Sequence, residues 1–147
     1  VLVDHIITQF TRELAIEWAC RMGDEHCAES SMRHLEAGGI EAPLQVVYYC
    51  NGLKDSDNST LFGNLVFKLH NNAPLQNERL RIIDGLLCSK NAEALKGFLA
   101  SMLEPNETFY RTHERRRAFN SIVARNEIGL EVLVDFINEN YSELKNM

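Results

Sequence analysis

The strongest candidate for chemistry in this sequence is the run HERRR at residues 113–117. It begins like the H-E-x-x-H motif, in which two histidines one helical turn apart bind zinc and the glutamate acts as a base. Arg117 stands where the second histidine is needed, and an arginine cannot bind the metal. The sequence therefore holds no zinc site of this kind. It also lacks a G-x-S-x-G nucleophile elbow and a glycine-rich phosphate loop.

The same segment carries the densest positive charge of the chain, in Arg111, Arg115, Arg116 and Arg117. Guanidinium groups bind carboxylates in a two-pronged geometry, so this cluster is a candidate for contacts inside a peptide cavity, such as with a peptide C-terminus. The alternative is a solvated helix face on which neighbouring acidic residues balance the charge. The residues alone support a helical scaffold without an active site.

Two of the four cysteines, Cys20 and Cys27, flank a predicted turn between two helices and are close enough for a disulfide. A metal site is the alternative, since His26 and His34 lie nearby. Single histidines around a C-x6-C spacing match no standard zinc pattern, so the spacing favours the disulfide.

A pattern repeated three times along the chain predicts the helices that must position the arginines and cysteines. The apolar run VVYYCNG at residues 46–52 is followed by IIDGLLCSK at 82–90 and FNSIVARN at 119–126. A period near 37 residues is typical of stacked helix pairs of the HEAT or armadillo kind. The sequence thus predicts an all-α fold, a right-handed solenoid of about eight antiparallel helices in one domain over residues 1–147.

Apolar spacing of three and four residues places the individual helices. They are predicted over residues 4–22, 25–37, 43–50, 61–69, 80–87 and 92–103, with a last pair between about 112 and 141. Gly23 and Gly38-Gly39 end the first two, and Asn51-Gly52 is expected to break the third. The polar stretch 54–59 is predicted to be an exposed loop.

Cys50 and Cys88 occupy equivalent places in successive repeats. Equivalent helices in such a stack lie about 8–10 Å apart, so the two sulfurs are within reach of each other. A disulfide there would stabilise the fold by roughly 4 kcal/mol in the chain-entropy treatment. The alternative is a pair of aligned, buried thiols.

Composition limits the classes of partner and the cellular compartment that fit this chain. The net charge of −6 over 147 residues argues against a nucleic-acid or anionic-membrane surface. No run approaches 18 apolar residues, and no signal peptide or initiator Met is present, so we expect a processed form or a piece of a longer protein. Even-numbered cysteines and three glycosylation sequons, at Asn58, Asn106 and Asn140, favour an extracellular setting over a cytosolic protein with inert thiols.

Seven short segments in register resemble the C-terminal helical domain of zinc aminopeptidases of the aminopeptidase N type, a gluzincin family. They cover about residues 13–144 and are, in order, the Cys20–Cys27 pair across Met22-Gly23, residues 47–52, Asn77-Glu78 before residues 86–90, residues 103–106, Tyr110-Arg111 with Glu114, Asn126 with Gly129, and Asp135-Phe136 before Asn140. Val134 and Tyr141 stand where the family often has tryptophan.

The resemblance implies HEAT-like helix pairs, the disulfides Cys20–Cys27 and Cys50–Cys88, and an ectoenzyme held at the cell surface by a transmembrane helix or a lipid (GPI) anchor outside this chain. In that family a separate thermolysin-like domain carries the zinc ligands and the G-x-M-E-N motif. None of these is present here, so no catalytic or metal-binding residue is carried over. The family's C-terminal domain is longer than this chain and closes over the active site.

The sequence is therefore interpreted as a non-catalytic fragment of a cell-surface or secreted zinc aminopeptidase, one that caps the peptide cavity. Its expected partners are the catalytic domain of the same polypeptide and, through the parent enzyme, peptide substrates. Two rivals remain open. One is a stand-alone helical-repeat module that binds another protein, and the other is a family member whose protease domain has lost its zinc ligands.

Overall fold

A computed structural model describes residues 2–54, 59–71, 75–104 and 109–145 of the chain. Within these ranges the chain is helical and contains no strand, which confirms the all-α prediction. The α-helices are α1 Leu2–Arg21, α2 Glu25–Ala37, α3 Gln45–Lys54, α4 Ser59–Asn71, α5 Gln76–Leu86, α6 Ala92–Leu103, α7 Thr112–Arg125, α8 Gly129–Glu139 and α9 Tyr141–Lys145, with a 3-10 turn at Ala42–Leu44 before α3.

Local sequence signals set several helix ends where they were predicted. Gly23 adopts a φ of 83°, which favours glycine, and the next residue, Asp24, caps α2 by accepting a hydrogen bond from the His26 amide at 2.9 Å. Gly38 and Gly39, with φ of 72° and 70°, end that helix. These residues explain why the predicted bounds of α2 agree with the structure.

The predicted break at Asn51-Gly52 is wrong, because α3 continues through both residues to Lys54. The Asn51 side chain donates to the Val47 carbonyl one turn back at 2.7 Å and so stays within the helix. Gly52 is required by packing: a Cβ there would lie 2.7 Å from Leu35 Cδ1 and 3.0 Å from Leu61 Cδ2. Its small size lets α2 and α4 approach α3 closely.

Neighbouring repeats pack with their equivalent helices side by side. Gln45 of α3 bonds Arg81 of α5, and the Cys50–Cys88 disulfide follows at the other end of the same pair. Between α5 and α7, Arg79 bonds Glu114 and Asp84 bonds Arg117. In each pair of helices, the contact that lies further along one helix also lies further along the other, so α3, α5 and α7 run parallel. The partners lie 33 to 38 residues apart, which matches the repeat length seen in the sequence.

One apolar core runs through the stack from α3 to α8. Its centre is formed by α5 and α6, where Ile82, Ile83, Leu95 and Leu99 have no exposed surface. The apolar stripe of α6 is buried as a whole, since Phe98 and Met102 complete it. Burial of such side chains is the main source of stability for a domain of this size.

Both disulfides join consecutive or equivalent helices. Cys20–Cys27 links the end of α1 to the start of α2, with the Cα atoms 5.3 Å apart. Cys50–Cys88 links α3 to the residues that follow α5, with the Cα atoms 5.0 Å apart. Because each sulfur is bonded to another, none of the four is available as a thiolate ligand for a metal.

A buried ion pair holds α7 against α5. Arg79 donates from Nε and Nη2 to the two carboxylate oxygens of Glu114, at 2.7 and 3.0 Å. The same guanidinium donates to the carbonyls of Leu69 and Phe109. Glu114 also accepts from the Arg111 amide at 2.9 Å, which satisfies a free N–H at the start of α7. This node therefore ties the end of α4, α5 and the start of α7 together.

Two apolar stripes face outward at opposite ends of the stack. On α1 the stripe contains Ile6, Ile7, Phe10, Leu14 and Trp18, each about half exposed or more. On α8 it contains Leu130, Val134 and Ile137, and Tyr141 continues it. Apolar spacing predicted the first helix, and the structure places the apolar residues of α1 on the outer surface of the described chain.

Candidate functional site

A groove of about 710 Å³ runs along one side of the stack and is the candidate site. Helices α1, α3, α5 and α7, each in contact with the next, supply its lining. Its apolar part comes from Val46, Val47, Leu80 and Ala124. The volume lies in the range of pockets that bind small molecules or short peptide segments.

The groove is positively charged although the whole chain is negative. Its charged lining residues are the cations Arg21, Lys54, Arg81, Arg117 and Arg125 and the carboxylates Glu17 and Asp84. Five positive against two negative side chains leave a formal charge of +3, on a protein whose formal charge is −6. The groove therefore attracts anions on a molecule that otherwise repels them.

Asp84 is the centre of this charge arrangement and is only 2% exposed. It accepts hydrogen bonds from Arg117 Nε at 3.0 Å and Nη2 at 2.6 Å, and from Ser121 Oγ at 3.2 Å. Arg125 Nη2 lies 3.5 Å from Asp84 Oδ2. The bonds to Asp84 raise the pKa of Arg117 above its ordinary value, so this guanidinium is always charged.

Arg81 reaches the groove from α5 and has a neutral partner. Its Nε donates to the amide oxygen of Gln45 at 2.8 Å, which fixes the side chain through one of its five N–H groups. Among the described residues, no carboxylate lies within ion-pair distance of Arg81. Arg81 therefore forms no ion pair within the described part of the groove.

The four arginines singled out in the sequence lie in different surroundings. Arg117 lines the groove. Arg111 precedes α7 and donates to the Gln76 side chain at 3.4 Å. Arg115 is half-buried and Arg116 is exposed, and neither belongs to the groove lining. The structure instead brings Arg117 together with Arg81 and Arg125, two residues outside the predicted cluster.

The predicted glycosylation sites fall mostly beyond the described ranges. Asn58 and Asn106 lie outside the described residues. Asn140 ends α8, and its side-chain nitrogen donates to the Phe136 carbonyl at 2.8 Å. That nitrogen is the atom to which a glycan would be attached, and it would keep one of its two N–H groups after glycosylation.

The described ranges contain neither a grouped set of metal ligands nor a membrane-spanning helix. There, no three His, Cys, Asp or Glu side chains are grouped so that they would hold a metal ion. No helix in the same ranges combines the length and the apolar character needed to span a bilayer.

Sequence reasoning missed Asp84, Arg79, Arg81 and Arg125. Asp84 carried a usable signal, because it is a charged residue inside the otherwise apolar run at residues 82–88. A buried charge requires a partner, and one repeat length further along the chain stand Arg117 for Asp84 and Glu114 for Arg79. The spacing of the repeats thus contained the pairing.

Comparison with known proteins gives the family of the chain. The family described as "ERAP1-like C-terminal domain" matches residues 3–147. Among similar proteins, an aminopeptidase N of Haemonchus contortus is 32% identical over 105 residues, 71% of this chain and 10% of that protein. A membrane alanyl aminopeptidase of Heliothis virescens is 28% identical over 127 residues, 83% and 12% respectively. A glutamyl aminopeptidase of Sus scrofa is 28% identical over 108 residues, 70% and 11%.

The chain thus spans 10–12% of the length of these three relatives. The match to the family extends over nearly the whole chain and agrees with the all-helical architecture. It also agrees with the absence from the sequence of an H-E-x-x-H motif, since the matched family is a C-terminal domain. This chain belongs to the ERAP1-like C-terminal domain family.

Proposed function

We propose that this chain is a non-catalytic helical domain of a zinc aminopeptidase, which removes N-terminal residues from peptides, and that it covers the cavity in which the parent enzyme binds its substrate. The family match and the names of the three relatives support the enzyme class. The observation that carries the placement is the positive groove lined by Arg81, Arg117 and Arg125. A peptide held by its N-terminus in the catalytic domain carries its negative end away from that site.

The chemistry of the parent would be supplied by its catalytic domain, the principal partner of this one. Zinc bound there activates a water molecule for attack on the first peptide bond. The residues of this chain do not fit such a metal, because Arg117 replaces the needed histidine and all four cysteines form disulfides. The role of this domain is therefore to shape and close the cavity.

The parent is placed at the outer face of the plasma membrane or in the secreted fraction. Two disulfides support this placement, because such bonds persist in oxidising compartments. The three sequons, at Asn58, Asn106 and Asn140, would then carry glycans. Any membrane attachment, through a transmembrane helix or a GPI anchor, belongs to another part of the parent.

The chain is proposed to be an internal part of a longer helical domain. A helical repeat cannot bury its apolar face alone and needs a neighbour on each side. The outward stripes on α1 and α8 have the helical spacing of such faces, with Phe10 and Leu130 more than 60% exposed. Further helix pairs of the same polypeptide would cover them and continue the stack.

Peptide-length dependence in the parent enzyme tests the proposed function. Arg81→Gln with Arg125→Gln should lower kcat/KM for a long peptide relative to that for a single-residue substrate by roughly tenfold, the value of one charged hydrogen bond. Arg116→Gln is the matched control, since Arg116 is exposed and outside the groove. An equal effect of both changes would contradict the placement. A parent gene without H-E-x-x-H would favour the stand-alone module or a family member without zinc.

A further inference from the structure

A second cavity, of about 380 Å³, lies on the side of α3 that faces away from the groove. Val47 and Cys50 of α3 line the groove, whereas Gln45 and Tyr49 line this second cavity, which we call the glycine cleft. Successive residues of an α-helix are about 100° apart, so the two sets point in nearly opposite directions. The glycine cleft is therefore separate from the positively charged groove.

The two walls of the glycine cleft come from α4 and from the end of α2 with the turn that follows it. Four residues of α4, three and four positions apart and thus on one face of the helix, line the first wall: Leu61, Asn64, Leu65 and Lys68. On the second wall, Leu35 and Ile40 flank Gly38 and Gly39. A Cβ at either glycine would meet no atom beyond its chain neighbours within 4 Å, so the backbone there is bare and open to a ligand.

Hydrogen-bonding groups in both walls have no partner among the described residues. The Gly38 carbonyl and the Gly39 N–H, which belong to one peptide group, make no hydrogen bond there. The side-chain amide of Asn64, an exposed residue, makes none either. Each of these groups offers both a donor and an acceptor, which is the combination that the peptide group of a ligand requires.

The glycine cleft carries no net charge. Among the described residues that line it, Lys68 alone is charged, and its Nζ lies 3.2 Å from Glu78 Oε1. The same ammonium donates to the Tyr49 hydroxyl at 3.2 Å, so one of its three N–H groups remains for a ligand. A neutral carbonyl can accept this bond, whereas a carboxylate would be repelled by Glu78.

We infer that the glycine cleft binds a short, uncharged segment of a partner polypeptide through one apolar side chain and the peptide group beside it. Leu35, Ile40 and Leu61 supply the apolar surface for the side chain. The free peptide group of Gly38 and Gly39 can bond the backbone of the segment, as exposed backbone does when it recognises extended peptides. The inference does not depend on the proposed function, since none of these residues lines the groove.

Three small probes separate the contributions of the side chain, the peptide group and the charge. The first is N-acetyl-leucine N-methylamide, in which an isobutyl side chain lies between two peptide groups. The second is its alanine analogue, and the third is N-acetyl-leucine, which has a carboxylate in place of the second amide. Each is titrated into the 15N-labelled chain, and the backbone amide of Gly39 and the side-chain amide of Asn64 are followed by NMR. The amide of Ala100, an exposed residue of α6 outside the cleft, is the reference signal.

We expect the first probe to shift both cleft signals, and the alanine analogue to bind roughly tenfold more weakly, because three apolar carbon atoms are lost. N-acetyl-leucine should also bind more weakly than the first probe. Asn64→Trp, which places an indole ring in the cleft, should abolish the shift at Gly39, whereas Ala100→Trp should preserve it. No shift with the first probe, or equal affinity for the leucine and alanine amides, would overturn the inference even where Asn64→Trp does not fold. Tighter binding of N-acetyl-leucine would overturn it as well, since the cleft would then select anions.

Discussion

Replacing Glu114 by glutamine removes one charge of the buried pair with Arg79 and leaves the rest of the site in place. Glu114 has no exposed surface and accepts two bonds from Arg79 and one from the Arg111 amide. The amide group of glutamine would direct N–H donors at the Arg79 guanidinium, which is itself a donor. Breaking a buried ion pair at one side costs about 3–5 kcal/mol. The melting temperature should fall by roughly 6–20 °C at this chain length.

The measurement is urea unfolding followed by far-UV circular dichroism, with the free energy of unfolding compared at an unchanged m value. Glu36→Gln is the matched control, because Glu36 is an exposed residue of α2, and it should change stability by less than about 0.5 kcal/mol. Replacing both partners, as in Arg79→Met with Glu114→Leu, should recover only part of the loss, because the Leu69 and Phe109 carbonyls and the Arg111 amide lose these bonds as well. A loss below about 1 kcal/mol in Glu114→Gln would refute the importance assigned to the pair.

The stability that Glu114→Gln loses relative to the wild type should depend on pH. Burial raises the pKa of Glu114, but the bonds from Arg79 and the Arg111 amide outweigh it, so the pKa lies below its ordinary value of 4.5. A lowered pKa in the folded state gives a stabilisation that is complete above about pH 4.5 and lost as pH falls through the folded value. The stability gap between the wild type and Glu114→Gln should therefore be constant near neutral pH and narrow in acid. A gap that persists unchanged after acidification would contradict this assignment.

Four further variants test the packing by the same unfolding assay. Cys50→Ala with Cys88→Ala should cost about 4 kcal/mol, since that disulfide joins residues 38 apart and constrains a long loop. Gly85→Ala should cost about 1–3 kcal/mol, because its Cβ would lie 2.5 Å from that of Tyr49 on α3, whereas Gly97→Ala, with open space around it, should stabilise α6 by about 1 kcal/mol. Leu99→Ala should cost about 2–5 kcal/mol, as Leu99 is fully buried.

Periodicity and turn residues were sufficient to predict most of the helices. Gly38 ends α2 and Asn91 caps the start of α6, and apolar spacing marks the rest of each helix. These signals are local effects of the backbone, so they can be seen in the sequence. Asn51-Gly52 misled the prediction because the same two residues end a helix or pack within one. Which outcome occurs depends on Leu35 and Leu61, which lie in other helices. Non-local packing of this kind is not visible in a short window of sequence.

The groove was harder to predict than the fold, because its residues come from four helices, α1, α3, α5 and α7. Sequence proximity grouped Arg111, Arg115, Arg116 and Arg117, yet on a helix consecutive residues point in different directions. Arg117 joins Asp84 only because α5 and α7 lie side by side. A search for charged residues one repeat apart would have found that pair. It would not have found the hydrogen bond from Arg81 to Gln45, because Gln45 is neutral.

The two ion pairs between α5 and α7 also fix how these helices align. In one pair the cation, Arg79, is on α5 and the anion, Glu114, is on α7. In the other the polarity is reversed, with Asp84 on α5 and Arg117 on α7. Sliding one helix along the other would break both ion pairs and bring like charges together, so the shifted alignment would be destabilised by repulsion as well as by the lost bonds. The buried pair that stabilises the fold therefore also places Arg117 at the groove, so stability and the groove depend on the same helix contact.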